Sequence, residues 1–303
     1  MKIYYCDHFV LPLPEGHRFP MEKYARLRVR VIQGNLVDRD DLVVPAPISD
    51  WELGRVHTRE YIERVRDGTL SREEIRRLGF PWSPALVERS RRSVGGTLAA
   101  AHSALEDGWA VNLAGGTHHA LPDCGEGFCV FNDVAVAARE VQAEGRARKV
   151  AVLDLDVHQG NGTAAIFAKD PTVFTLSVHG AGNFPFRKEK SDLDIELPDG
   201  TEDAEYLEAV ERGLEAALRS HPDLTFYVAG ADPYVNDSLG RLSVSSSGLA
   251  LRDDLVFDTC QAAGVPVVVV LSGGYARDVR DTVEIHYHAV SAAAMRAAAA
   301  HTG

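Results

Sequence analysis

Four short runs rich in valine, leucine, phenylalanine and threonine, at residues 149–154, 172–178, 225–229 and 266–271, constrain this chain more than any other feature. Each is too short for a buried helix and lacks apolar–polar alternation, the pattern of strands covered on both faces. Helical patterns lie between them at 132–144, 160–168, 203–220 and 249–263, and another follows the last run at 278–300. Strands alternating with helices require right-handed crossovers. The expected class is therefore α/β, a mostly parallel sheet with helices on both faces. The N-terminal third is more helical, with candidates at 21–33, 58–66 and 84–106 before a short strand at 109–113. No repeat or low-complexity linker divides the chain, and 303 residues suit one large domain over 1–303.

In parallel α/β sheets, ligands bind beyond the carboxyl ends of the strands. Four polar clusters fall there: Thr117-His118-His119, the segment 154–161, Gly230-Ala231-Asp232-Pro233 and Ser272-Gly273-Gly274-Tyr275. In the second, Asp154, Asp156 and His158 alternate with Leu155 and Val157, so a strand's period of two puts the polar trio on one face. Two carboxylates and an imidazole gathered at a buried strand end repel and desolvate one another unless a cation or proton donors compensate them, and a metal resolves this. Asp232, following the apolar run 226–229, brings another ligand from a second strand end. Capping would account for any one of these residues but not for the combination. Two oxygen ligands, one nitrogen and an open position suit one catalytic zinc per chain, and Fe(II) also accepts such a set. Beside a metal, His118 and His119 read as an acid/base pair, and the Tyr275 hydroxyl as a donor to a developing oxyanion.

Charge narrows the class of partner. A net charge of −12 argues against nucleic acid, whose phosphates demand a basic surface. It is compatible with a cationic substrate, although acidic surfaces mainly confer solubility. No apolar run approaches the ~20 residues that span a bilayer, and the first residues lack a leader's apolar stretch. The expectation is a cytoplasmic protein with no membrane partner. Cys6, Cys124, Cys129 and Cys260 are too scattered for a disulfide framework or a CxxC zinc site and are read as reduced thiols.

Together the motifs resemble the histone deacetylase family, with its bacterial acetoin-utilisation and acetylpolyamine-amidohydrolase relatives. The resemblance rests on Gly115-Gly116-Thr117-His118-His119-Ala120, on Gly127-Phe128-Cys129-Val130-Phe131-Asn132-Asp133, on the segment from Asp154 to Thr163, on Gly230-Ala231-Asp232 and on Gly273-Gly274-Tyr275, in family order over about 15–290. Gly240-Arg241-Leu242 is similar to the bacterial relatives of class IV enzymes. The resemblance implies the arginase/deacetylase fold, a parallel sheet of about eight strands, and hydrolysis of an acyl-lysine protein or peptide, or of a small acylated amine. It implies that Asp156, His158 and Asp232 hold zinc, that His118 and His119 flank the water, and that Tyr275 holds the substrate carbonyl. Asp154 would accept a hydrogen bond from His118 and, with Ser177, help hold a structural potassium ion. Gly127, Phe128 and Phe184 would wall a narrow tunnel, with Leu239 at its rim. It carries no reading of oligomeric state.

Two departures qualify the match. Asn161 stands where the best-known members have Asp as partner of the second histidine. A neutral partner stabilises imidazolium less than a carboxylate does, which makes His119 the better base. The Gly-Gly-Tyr turn is also shorter by glycines than in many nuclear enzymes. A binuclear ureohydrolase of the same fold would need extra aspartates where Gly160 and Pro233 stand. A non-catalytic acyl-lysine binder is disfavoured because every residue the chemistry needs is present.

Overall fold

The computed structural model describes residues 1–300 of the protein. In chain order the elements are β1 (Lys2–Tyr4), α1 (Glu22–Gln33), β2 (Leu42–Val43), α2 (Asp50–Leu53), α3 (Arg59–Asp67), α4 (Arg72–Leu78), α5 (Pro84–Asp107), β3 (Trp109–Asn112) and α6 (Asp133–Ala143). There follow β4 (Val150–Asp154), α7 (Asn161–Phe167), β5 (Val173–Gly180), β6 (Leu193–Leu197), α8 (Asp203–Leu218), β7 (Leu224–Ala229), α9 (Ser246–Ala263), β8 (Val267–Leu271) and α10 (Val279–Ala300). The strands form one sheet of eight in the order β2-β1-β3-β8-β7-β4-β5-β6. Every pairing is parallel.

The unbroken apolar character of the central strands has a direct structural cause. Along β8, Val267, Val269 and Leu271 pack on one face with β4's Ala151 and Leu153, beneath α1, α8, α9 and α10. Val268 and Val270 pack on the other face with Val150, Val152, Phe226 and Val228, beneath α3, α5 and α6. A period of two thus feeds two cores at once, and each buried Val or Leu contributes on the order of 1.5–3 kcal/mol. A charged residue at Val269, which is fully buried, would leave an unpaired charge inside the sheet.

The elements missed from sequence are short. Strand β6 reads Leu-Asp-Ile-Glu-Leu and lies at the sheet edge, where one side needs no cover. Helices α2 and α4 each open on a capping box, Ser49 with Glu52 and Ser71 with Glu74. One expectation needs correcting: β4 ends at Asp154, so the strand's period does not carry Asp156 and His158. Beyond it the backbone turns on its own carboxylates, Asp154 Oδ1 accepting from Asp156 N at 3.2 Å and Asp156 Oδ1 from His158 N at 3.0 Å. Leu155 and Val157 still enter the core, which leaves the polar residues facing the carboxyl edge.

The order of strands decides where the polar clusters go. β3, β8, β7 and β4 are consecutive neighbours in the sheet, and they are the strands preceding the four clusters. Residues far apart in sequence are therefore delivered to one edge.

Candidate active site and metal centre

Asp156, His158 and Asp232 offer three ligand atoms that all lie within 4.8 Å of one another. Asp156 Oδ2 accepts from Ser272 Oγ at 2.7 Å and from the Gly273 amide at 2.8 Å. Asp232 Oδ1 accepts from the Val157 amide at 2.9 Å. Asp232 Oδ2 is buried without a hydrogen-bond partner, 3.2 Å from His158 Nδ1. Burial, and after it the neighbouring charge of Asp156, pushes Asp232 up to about 7. Keeping both carboxylates ionised takes a compensating cation, and the orphaned oxygen is an open ligand for one. The backbone around it leaves room: a Cβ on Gly273 would stand 1.8 Å from Asp232 Oδ2 and 2.6 Å from Asp156 Oδ2. The donor set and this cradle fit a single divalent cation.

The histidine pair is held from two directions. Asp133, the first residue of α6, accepts from the Gly116 and Thr117 amides at 3.1 and 2.7 Å. Asn132, its cap, donates from Nδ2 to Ala120 O at 3.3 Å and to Thr163 Oγ1 at 3.1 Å. The Asn-Asp that closes one motif is thus the bracket for the Thr-His-His of another. His118 Nδ1 meets Asp154 Oδ2 at 2.6 Å, and His119 Nδ1 meets Asn161 Oδ1 at 2.7 Å. The rings lie 4.1 Å apart between centroids. Burial opposes charge on His118, but Asp154 and Asp156 outweigh it and push its pKa up to about 9. For His119 burial dominates, the charges of His118 and His158 add to it, and the ring is held well below the ordinary range.

Tyr275 is positioned by its backbone. Its amide donates to Asp237 Oδ2 at 2.6 Å, while Asp237 Oδ1 accepts from Leu239 and Gly240 at 2.8 and 2.9 Å. One carboxylate therefore ties the tyrosine turn to the loop bearing Leu239. Burial, then Asp232 and Asp156, pushes the phenol well above its usual range, so it stays a donor. A cleft of about 650 Å³ joins His119, His158 and Tyr275 to Gly127, Phe128, Phe184 and Leu239, the residues expected in the tunnel. Phe184 packs edge-on against His119 at 5.0 Å. Phe128 has φ +68°, a conformation that branchless glycine normally supplies and that side chains adopt where surrounding structure forces it.

Residues 17–290 match the family model of the histone deacetylase domain. The chain belongs to the histone deacetylase family. It is 33% identical over 288 residues to a histone deacetylase-like amidohydrolase of Pseudomonas aeruginosa, covering 87% of this chain and 74% of that one. It is 32% identical to histone deacetylase 2 of Arabidopsis thaliana, covering 88% and 73%. An uncharacterized protein of Picosynechococcus is 46% identical, covering 94% and 95%. Among solved structures, an HDAC homolog from Aquifex aeolicus superposes with a TM-score of 0.82 at 24% identity, covering 95% of this chain and 82% of that one. The protein is thus a deacetylase-family hydrolase acting on C–N bonds other than peptide bonds. No helix among the described residues is long and apolar enough to cross a membrane.

Within this family member, several site residues gave no sequence signal of their own. Asp237 belongs to none of the polar clusters read from the sequence, and although Ser272 heads one of them, its hydroxyl bond to Asp156 shows only in the fold. Glu126 reaches Asn161, and the arginines Arg18, Arg77 and Arg241 line the cleft although the chain as a whole is acidic. Asp154 and Ser177 are register partners across β4 and β5, but Ser177 Oγ is bonded to His179 Nδ1 at 2.9 Å.

Proposed function

We propose that this deacetylase is a zinc-dependent N-acyl-lysine deacylase. The observation that carries the reading is convergence: the three prospective ligands gather within 4.8 Å of one another, His118, His119, Asp156, His158 and Tyr275 line one small pocket, and His119, His158, Phe128 and Tyr275 are shared with the larger cleft that Phe184 also walls. An aromatic-walled cleft suits an alkyl chain, whose stem gains from burial while its amide reaches the polar base. A cation held by Asp156, His158 and Asp232 would polarise the acyl carbonyl and acidify a water, with zinc favoured and Fe(II) a second candidate.

The protein's own groups supply the rest. Tyr275 donates its hydroxyl hydrogen bond to the oxygen that gains charge as the carbonyl carbon becomes tetrahedral. His119, whose partner is a neutral amide, takes the water proton as the new C–O bond forms. His118, backed by the Asp154 carboxylate, gives a proton to the nitrogen as the C–N bond breaks. The products are a free amine and a carboxylate. A potassium ion beside Asp154 and Ser177 belongs to the same proposal and is tested by the dependence of activity on added K⁺.

The rim favours an acylated protein or peptide over a polycationic amine. Arg18, Arg77 and Arg241 are exposed around the cleft, against Glu126 as the lining acid. A free polyamine carries its positive charges toward them, whereas a peptide backbone does not. The test is an acyl-lysine peptide panel from acetyl to myristoyl beside acetylspermidine, with and without chelator. The reading expects chelator-sensitive release and a peptide rate above that of acetylspermidine. Chelator-insensitive release, or none, overturns it, and a preference for acetylspermidine moves the assignment to a small acylated amine.

A further inference from the structure

Glu126 lies outside both the ligand set and the histidine pair, yet its carboxylate ends a chain of contacts that begins at His119. The His119 ring meets Asn161 Oδ1 at 2.7 Å through Nδ1, and Asn161 Nδ2 donates to Glu126 Oε1 at 2.6 Å. His118 differs in that its partner Asp154 is itself a carboxylate, whose other oxygen accepts from the Asp156 amide.

The difference matters because an amide has two unlike ends. Turned one way, Asn161 presents an oxygen to His119 and requires a proton on Nδ1. Turned the other way it presents an NH₂, which requires a bare Nδ1 and places the ring proton on Nε2. Only the first arrangement leaves Nε2 free to take a proton. Glu126, as a carboxylate, has acceptors and no donors, so it attracts the NH₂ end and decides the orientation. Its placement is firm. The Glu126 carbonyl accepts from the Cys129 amide at 2.9 Å, and the Phe128 amide donates to Leu78 O at 2.9 Å.

We propose that Glu126 is a positioning residue, which through the Asn161 amide holds His119 with its proton on Nδ1 and Nε2 free as the base. The assignment rests on the deacylase reading above. It makes a directional claim about pairs of substitutions. Glu126→Ala frees the amide to turn and lowers kcat by about 10–100-fold, the usual cost of losing a partner behind a site histidine, with little change in KM. Asn161→Asp alone sets a second carboxylate against Glu126 and is likewise impaired. The double variant, Glu126→Ala with Asn161→Asp, gives His119 a direct carboxylate partner and removes the repulsion. Its kcat recovers to within a few-fold of the starting protein. A residue that merely filled space would give losses that accumulate in the double variant.

The second readout needs neither metal nor substrate. In metal-free protein carrying ¹⁵N-histidine, long-range ¹H–¹⁵N correlations report which nitrogen of His119 bears the proton. The expected result is Nδ1–H in the parent protein, and a shift toward Nε2–H in Glu126→Ala. An unchanged tautomer in Glu126→Ala, or a double variant no better than its weaker parent, overturns the assignment. A parent protein that hydrolyses no acyl-lysine peptide defeats the functional reading instead, and the tautomer measurement still decides the role of Glu126.

Discussion

His57 should make this fold lose stability in mild acid, and the structure is specific enough to set the size of the effect. The ring is 3% exposed and packs between Tyr61 and Phe131, with centroids 5.8 and 5.2 Å away. Its Nε2 accepts from the Asn132 amide at 2.9 Å, and its Nδ1 faces Leu121 O at 3.1 Å. One partner only donates and the other only accepts, so the bonded ring is the neutral Nδ1–H form. Burial lowers its pKa from 6.5 to about 4. Between those values the unfolded chain binds a proton that the folded chain refuses. The stability this neutral ring provides is full above pH 6.5 and drains away as pH falls toward 4. At about 1.4 kcal/mol per pH unit, roughly 2.5 kcal/mol is gone by about pH 4.5. Gln keeps a donor and an acceptor but does not titrate, so His57→Gln is the matched control. His179, His286 and His119 are also held below their ordinary values, and they cancel in the comparison. Urea unfolding of metal-free protein at pH 8, 6 and 4.5 should show the variant weaker by about 1–2 kcal/mol at pH 8. That deficit should shrink and then reverse toward pH 4.5. Parallel profiles for the two proteins would refute the reasoning.

Other outcomes follow from the site itself. Tyr275→Phe should lower kcat by about 10²–10³-fold while bound metal, counted by elemental analysis, stays near one per chain. Gly273→Ala should abolish high-affinity metal binding in a titration, because its Cβ would fall 1.8 Å from Asp232 Oδ2; unchanged affinity would remove these residues as ligands. Asp237→Ala should release the Tyr275 turn and cut kcat by at least about tenfold with the far-ultraviolet spectrum unchanged, since its carboxylate holds three backbone amides.

The sheet was legible wherever a strand is buried on both faces. Runs such as 266–271 leave no polar residue to disguise them, whereas β1 and β2 are three and two residues long and present too little pattern to read. Helix α9 begins at Ser246, earlier than its apolar pattern, because Ser245 caps it by accepting from Gly248 N at 2.9 Å. The gathering of Asp156, His158 and Asp232 was legible because its residue types are costly to bury together. The supporting residues were not. Asp133 looks like an ordinary helix start, and only the fold reveals that it bonds Gly116 and Thr117. Glu126 is an unremarkable acid until Asn161 stands beside it.

The turn at Glu126, Gly127 and Phe128 places three features on three consecutive positions: the acid bonded to Asn161 behind His119, a bend at φ +57°, and a wall of the cleft at φ +68°. For anyone seeking to widen this enzyme's acyl-chain tolerance, that adjacency rules out the obvious route. Inserting or deleting a residue beside Phe128 would alter the bore and shift the Glu126 contact to Asn161 in the same stroke. Phe184 and Leu239 sit on other loops, where a change of side chain that leaves the backbone in place alters the bore without moving Glu126.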